Sequence, residues 1–291
     1  MNTAKPQDYF PDRREMLREL AIAASTGLLL THEVIWTNRL AVAADPKAPA
    51  GDWGTVKGRI VWDESEKLPE LREVDFDKLK IAGEDLKFFT SKGKVYYEDW
   101  VIEPKSKAVQ HVFVWLRPDS TERTPEPLPI HADIKEAKAL EVVMDQEAMG
   151  YRPHAVALRT GQTLTVKNNS PIVHSLVWSS ENNGDGNRAM PKDTEVKFEK
   201  VKLERIPVPL SCAPHPWEKA YLRIFDHPYF ALTGPDGKFE IKLAPAGKVR
   251  LAVWQETLGF RGGKEGRFGQ QITVEAGATL DLGDLKIKPV S

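Results

Sequence analysis

The chain has 291 residues, 41% hydrophobic and 29% charged, a globular composition long enough for two packed cores. Lysine and arginine number 41 against 42 acidic residues, so no net field draws the protein to nucleic acid or an anionic membrane. One cysteine, Cys212, excludes an intramolecular disulfide and leaves a thiol that needs another reason to be there.

Residues 1–44 differ from the rest. Arg13 and Arg14 precede an apolar stretch from Ala21 to Leu30, and Ala41-Val42-Ala43 offers the small residues at which a signal peptidase cuts. The string RREML resembles the twin-arginine export pattern, which implies export of an already folded protein to the periplasm or cell envelope. The apolar run is about half of what a spanning helix requires, so the expectation is a cleaved leader and no membrane span after cleavage.

Beyond the leader, short alternating runs are separated by Gly, Pro, Asn and Asp. This pattern predicts strands at 54–62, 109–116, 154–158, 163–168, 173–178, 195–201, 220–225, 238–243, 249–254 and 271–277, an all-β chain of sandwiches. The main helical candidate is ADIKEAKAL, 132–140, and the Pro-rich, charged stretch 117–129 reads as a linker. GPDGK at 234–238 and LAPAGK at 243–248 read as hairpin-like turns.

The segment VPLSCAPHPWEKAYLRIF carries the chemistry. Cys212, His215 and Glu218 follow one another at intervals of three, so one tight loop aims a thiolate, an imidazole and a carboxylate inward. A second imidazole comes from His174 in NNSPIVHSLVW. A lone cysteine is often just a small buried apolar residue, but the histidine three residues on and the upstream histidine favour ligation. Pro214 and Pro216 stiffen the loop, and Trp217 is either a core aromatic or a contact surface beside it. His154 reads as structural at a strand start, His227 as a cap where the chain crosses between domains, and His111 and His131 stand without a constellation.

NNSPIVHSL and CAPHPWEKAY resemble the two halves of a cupredoxin copper site. Together with DQEAMGYRPHAVALRTGQTLTVK, DHPYFALTGPDGKFEIKLAPAG and VRLAVWQETLG, they resemble a group of secreted bacterial proteins, common in planctomycetes. These join a cupredoxin-like Greek-key β-sandwich to a carboxypeptidase-regulatory-like β-sandwich. The resemblance implies copper held by His174, Cys212 and His215, with Glu218 where the family usually has an axial methionine. It also places Ser175 where relatives often carry the Asn that ties the two ligand loops together. Glu218 reads either as a solvated charge beside Lys219 or as a fourth ligand; the second favours oxidised copper, makes zinc an alternative, and resembles red copper sites.

The expected organisation is an export signal at 1–44, N-terminal strands at 52–118, a linker with a short helix at 119–140, a cupredoxin-like metal domain at 141–228 and a regulatory-like sandwich at 229–291. Few strands are left for the last unit, so the N-terminal strands are candidates to pair with it, with the metal domain inserted between. The expected function is electron transfer in the cell envelope, with a redox partner docking near His215, Pro216 and Trp217. The alternative is a non-redox binding module or copper carrier. No general acid or base stands out, so an enzyme role ranks third.

Overall fold

The structure, a computed structural model, describes residues 52–289 apart from 123, 138 and 148, so the expected export signal lies outside the described residues. In chain order β1 (Trp53–Trp62), α1 (Gly83–Ser91) and β2 (Phe113–Pro118) come first. Next are β3 (Glu141–Glu147), β4 (Gly150–Arg152), β5 (Ala155–Arg159), β6 (Thr163–Asn168), β7 (His174–Ser179) and β8 (Asp185–Met190). β9 (Thr194–Phe198), β10 (Val208–Ser211) and β11 (Lys219–Phe225) complete this group. The chain closes with β12 (Phe230–Leu232), β13 (Lys238–Pro245), β14 (Gly247–Gln255), β15 (Gly259–Phe260), β16 (Gln270–Val274) and β17 (Thr279–Ile287). The all-β expectation holds, and no helix among the described residues is long and apolar enough to cross a membrane.

The first and last groups share sheets. β1 lies between antiparallel β13 and parallel β17, and β2 lies between β12 and β14, which also carries β15 and β16. These form an outer sandwich. The strands between them form a central sandwich from two further sheets, ordered β4-β3-β6-β9 and β5-β11-β10-β7-β8.

Sequence pattern explains the stacking. A strand with one dry face alternates apolar and polar residues, whereas one covered on both faces reads as a continuous apolar run. β2 is of the second kind: Val114 and Leu116 enter the outer core with Val56, Ile60 and Val253, while Phe113 and Trp115 face the other way, toward Ala155 and Phe225 of the central sandwich. β11 mirrors it, with Ala220, Leu222 and Ile224 in the central core and Phe225 in the shared layer. The two sandwiches therefore stack sheet on sheet.

Several expectations need correction. The run 132–140 forms only a 3-10 turn at Ala132–Ile134, with no buried residue of its own. The Ile134 and Lys135 carbonyls accept from Arg159 Nη1 at 3.0 and 2.8 Å instead of continuing a helix. The strand expected from 109 begins at Phe113, because His111 has a left-handed backbone with φ of 63° that breaks the extended run. Neither 234–238 nor 243–248 is a hairpin, since β12 and β14 belong to one sheet and β13 to the other. Burial on opposite sides of one core demands a turn that changes layers. Gly237 makes the first such turn, at φ of 68° with the Ile60 carbonyl 2.5 Å from where a Cβ would stand.

Segment 74–97, within the stretch expected to hold only strands, contains α1. It packs Val74, Phe89 and Val95 against Ile172 and Trp217 at one end of the central sandwich. The Val74 N–H donates to the Val95 carbonyl at 2.8 Å, closing the segment on itself.

Candidate metal centre

β10 and β11 pair antiparallel with Ser211 opposite Lys219, so residues 212–218 are the loop of a hairpin. Two backbone bonds shape it: Glu218 N–H to the His215 carbonyl at 2.9 Å, and Cys212 N–H to the Glu218 carbonyl at 3.2 Å. With φ fixed at Pro214 and Pro216, the spacing of three turns Cys212, His215 and Glu218 to one side. His174 opens β7, which is the antiparallel neighbour of β10, so the start of one strand lies against the end of the other.

Ser175 supplies the tie between these loops. Its N–H donates to Cys212 Sγ at 3.3 Å, and its hydroxyl accepts from the Ala213 N–H at 2.8 Å. Upstream, Asn168 shapes the approach to His174: its Nδ2 donates to the Ile172 and Met190 carbonyls at 2.9 and 2.7 Å, and its Oδ1 accepts from Ser170 N–H at 2.9 Å. Tyr151, fully buried behind the thiol, donates to the Ser211 carbonyl at 2.9 Å.

All four predicted ligands come together, each no more than 1% exposed. Their donor atoms lie within 4.8 Å of one another. His174 Nδ1 and His215 Nδ1 are 3.2 Å apart, and Cys212 Sγ lies 3.7 and 3.5 Å from them. Glu218 Oε2 is 2.8 Å from His174 Nδ1, and Oε1 is 3.7 Å from His215 Nδ1. Glu218 is thus buried in the cluster, not solvated beside Lys219.

The outer nitrogens have partners of their own. Ser170 Oγ lies 2.8 Å from His174 Nε2 and 3.3 Å from the Ile172 carbonyl. Asp85 Oδ2 accepts from His215 Nε2 at 3.1 Å. When the Nε2 atoms donate outward, as ligation through Nδ1 requires, both Nδ1 lone pairs face inward; without a cation the 2.8 Å contact to Glu218 Oε2 is a donation from His174 Nδ1–H. Two imidazole lone pairs, a sulfur and a carboxylate then converge on one dry point, and Glu218 Oε1 makes no hydrogen bond. An unpartnered carboxylate oxygen in a dry site is costly unless a positive charge joins it. Burial, followed by the Glu218 charge, pushes the Cys212 thiol up to about 12. Burial also lowers the pKa of His215 against the opposing pull of Glu218 and Asp85.

The separations among the two Nδ1 atoms and Sγ fit a metal ion, whereas Glu218 Oε2 stands at hydrogen-bond distance from His174 Nδ1. Bonds of about 2.0–2.1 Å to nitrogen and about 2.3 Å to sulfur in a tetrahedral array place nitrogen pairs about 3.3 Å apart and nitrogen–sulfur pairs about 3.6 Å apart.

The remaining predicted positions divide. Trp217 is a core aromatic, packed edge-on against Phe89 at 4.8 Å, while Pro214 and Pro216 are exposed on the loop above. His227 lies between β11 and β12, its Nδ1 accepting from Tyr229 N–H at 3.1 Å. His131 Nδ1 accepts from Asp133 N–H at 3.1 Å. His111 does have a constellation, standing 5.1 Å from His154 in a partly buried charged cluster with Glu98, Arg152 and Glu256. Sequence reading missed Asp85 and Ser170. Ser170 was findable, four residues before His174 in the loop already singled out, but nothing local connects Asp85 to a histidine 130 residues later.

No family model matches the sequence. No curated protein matches it either. Among solved structures, the chain is similar to a purple cupredoxin from Nitrosopumilus maritimus, at 15% identity and a TM-score of 0.24 over 28% of this chain and 97% of that one. It is similar to a reduced tryptophan-to-tyrosine mutant of amicyanin, at 18% identity and a TM-score of 0.26 over 38% of this chain and 97% of that one. A Cu(I) methionine-to-glutamine mutant of amicyanin is similar at 18% identity and a TM-score of 0.26, over 29% of this chain and 82% of that one.

Proposed function

We propose that this protein is an exported copper protein that transfers electrons in the cell envelope, with His174, Cys212, His215 and Glu218 as the metal ligands. One observation carries the reading: four buried donors converge, with Ser170 and Asp85 at the outer nitrogens of the two histidines and both Nδ1 atoms turned to the common point. A thiolate and two imidazoles are the donors that suit copper in both oxidation states, and the carboxylate shifts the balance toward the oxidised one. These four residues would hold copper, which would supply a one-electron couple between partner proteins without any bond made or broken in the protein.

The chain's own residues set the conditions for that exchange. Ser175 and the two prolines hold the hairpin loop rigid, so the donor set changes little between oxidation states. Burial of all four ligands keeps water out. A partner protein docks on the exposed loop residues Ala213, Pro214 and Pro216, directly above His215 and Trp217. Export rests on Arg13, Arg14 and the Ala41-Val42-Ala43 site.

Voltammetry of the copper-loaded protein, paired with metal exchange against a competing chelator, tests this reading. Electron transfer requires a reversible one-electron couple and slow exchange. Fast exchange without a reversible couple would instead make the protein a copper carrier. Tight zinc binding that excludes copper would make the centre structural.

A further inference from the structure

His215 does not meet solvent with its outer nitrogen. α1 lies over it, and the cover makes two separate contacts. Asp85, in the first turn of α1, brings Oδ2 to 3.1 Å from His215 Nε2. One turn further on, Phe89 sets its ring edge-on to the same imidazole, with centroids 4.9 Å apart and planes at 76°. Phe89 is fully buried, and it also touches Phe76 and Trp217, so it anchors the helix. Asp85 is 36% exposed. The carboxylate therefore stands at the boundary between the imidazole and water.

An imidazole bound through Nδ1 needs its Nε2–H directed at an acceptor, because the ring otherwise rotates about χ2 or exchanges tautomers. His174 receives this from Ser170, a neutral hydroxyl on its own loop. His215 receives it from an anion on a different element. A carboxylate accepting from a ligating histidine raises the basicity of the ligating nitrogen and favours the more highly charged metal ion. The neutral serine does neither to the same degree.

Resting on the copper reading above, we propose that Asp85 is the positioning residue of this centre: through α1 its hydrogen bond holds His215 with Nδ1 facing the other ligands and so sets the metal's retention, and its charge sets the redox poise. Phe89 and Trp217 serve that role by fixing where α1 lies. The segment 74–97 is in this account part of the metal centre, not a decoration of the sandwich.

The test uses the full chain and four proteins: the parent, Asp85→Asn, Asp85→Ala and Phe89→Ala. In metal-free protein, nitrogen-15 NMR should show His215 protonated at Nε2 in the parent and in Asp85→Asn, whose amide oxygen still accepts, but mixed between tautomers in Asp85→Ala. After loading with Cu(II), Asp85→Ala should release copper to a chelator about 10–100-fold faster than the parent. Asp85→Asn should release it at close to the parent rate and raise the reduction potential, by about 59 mV for each tenfold shift in preference toward reduced copper. Phe89→Ala loosens the helix with the charge kept, so it should speed release while moving the potential less than Asp85→Asn does. An Asp85→Ala protein with the parent's tautomer and release rate overturns the proposal. So does an Asp85→Asn protein with the parent's potential. If the parent takes up no copper, the preceding reading fails by itself, while the tautomer in metal-free protein still decides whether Asp85 positions His215.

Discussion

Two buried histidine clusters lie near the same end of the central sandwich, and they solve opposite problems. Around His154, positive and negative groups balance: Nε2 is 2.9 Å from Glu256 Oε1, Nδ1 is 3.3 Å from Glu98 Oε2, and Arg152 clasps Glu98 with both terminal nitrogens at 2.8 and 2.9 Å. Burial opposes the His154 charge, but the hydrogen bonds to Glu256 and Glu98 outweigh it and raise its pKa to about 9. Glu98 is likewise held down at about 2, the Arg152 and His154 charges overcoming its burial. The second cluster has similar residue types and no arginine. His174, Cys212, His215 and Glu218 bring donor atoms within 4.8 Å of one another, an arrangement able to hold a cation. Content alone does not distinguish a structural histidine from a ligand; the difference between the clusters is the arginine that pairs with Glu98 in one and the thiol that stands beside both imidazoles in the other.

The sharpest way to break this contrast is Cys212→Ser, which should abolish thiolate-to-copper absorption altogether and remove most copper retention, because the hydroxyl neither ionises nor donates charge as a thiolate does. Thermal stability of the metal-free protein should hardly change. Glu256→Ala should do the reverse. It leaves His154 buried without its closest anion, a loss of about 3 kcal/mol in chemical denaturation, with the copper spectrum unaltered.

The same pair has a pH signature. Because the folded His154 pKa is raised to about 9 from its ordinary 6.5, the stability it contributes is complete below about 6.5 and is lost as pH rises through about 9. The parent's unfolding midpoint should fall across that window, and the slope should flatten in Glu256→Ala.

Smaller effects sharpen the metal side. Glu218→Gln and Glu218→Met should both raise the reduction potential, since each removes a negative charge beside the ion, and the methionine variant should also move in colour toward blue. An unchanged potential in both would strike Glu218 from the ligand set. Smallest is Ser175→Ala: it strips the acceptor from the Ala213 N–H and should lower stability by about 1 kcal/mol, with a modest increase in the rate of copper loss.

Much of this was legible in the chain, for reasons that differ by region. The strands were, because alternating or continuous apolar runs such as TLTVKN and VRLAVW leave few other ways to bury their faces; the 163–168 run matches β6 residue for residue. The clustering of His174, Cys212, His215 and Glu218 was, because three of them share one hairpin loop. The layer-changing turns were not: Pro and Gly announce a turn without saying which sheet receives the next strand. α1 was not either, since nine residues with a single buried side chain leave no helical stripe to read. Asp85 and the His154 cluster depend on contacts between segments far apart in sequence, and no local pattern encodes those.

The central claim is that the four buried donors hold one metal ion, and metal stoichiometry measures this directly. Purified protein reconstituted with copper and passed through a desalting column should retain one copper per chain, with an absorption band that Cys212→Ser eliminates. Retention of no stoichiometric copper or zinc, or a copper band that survives Cys212→Ser, would contradict the account.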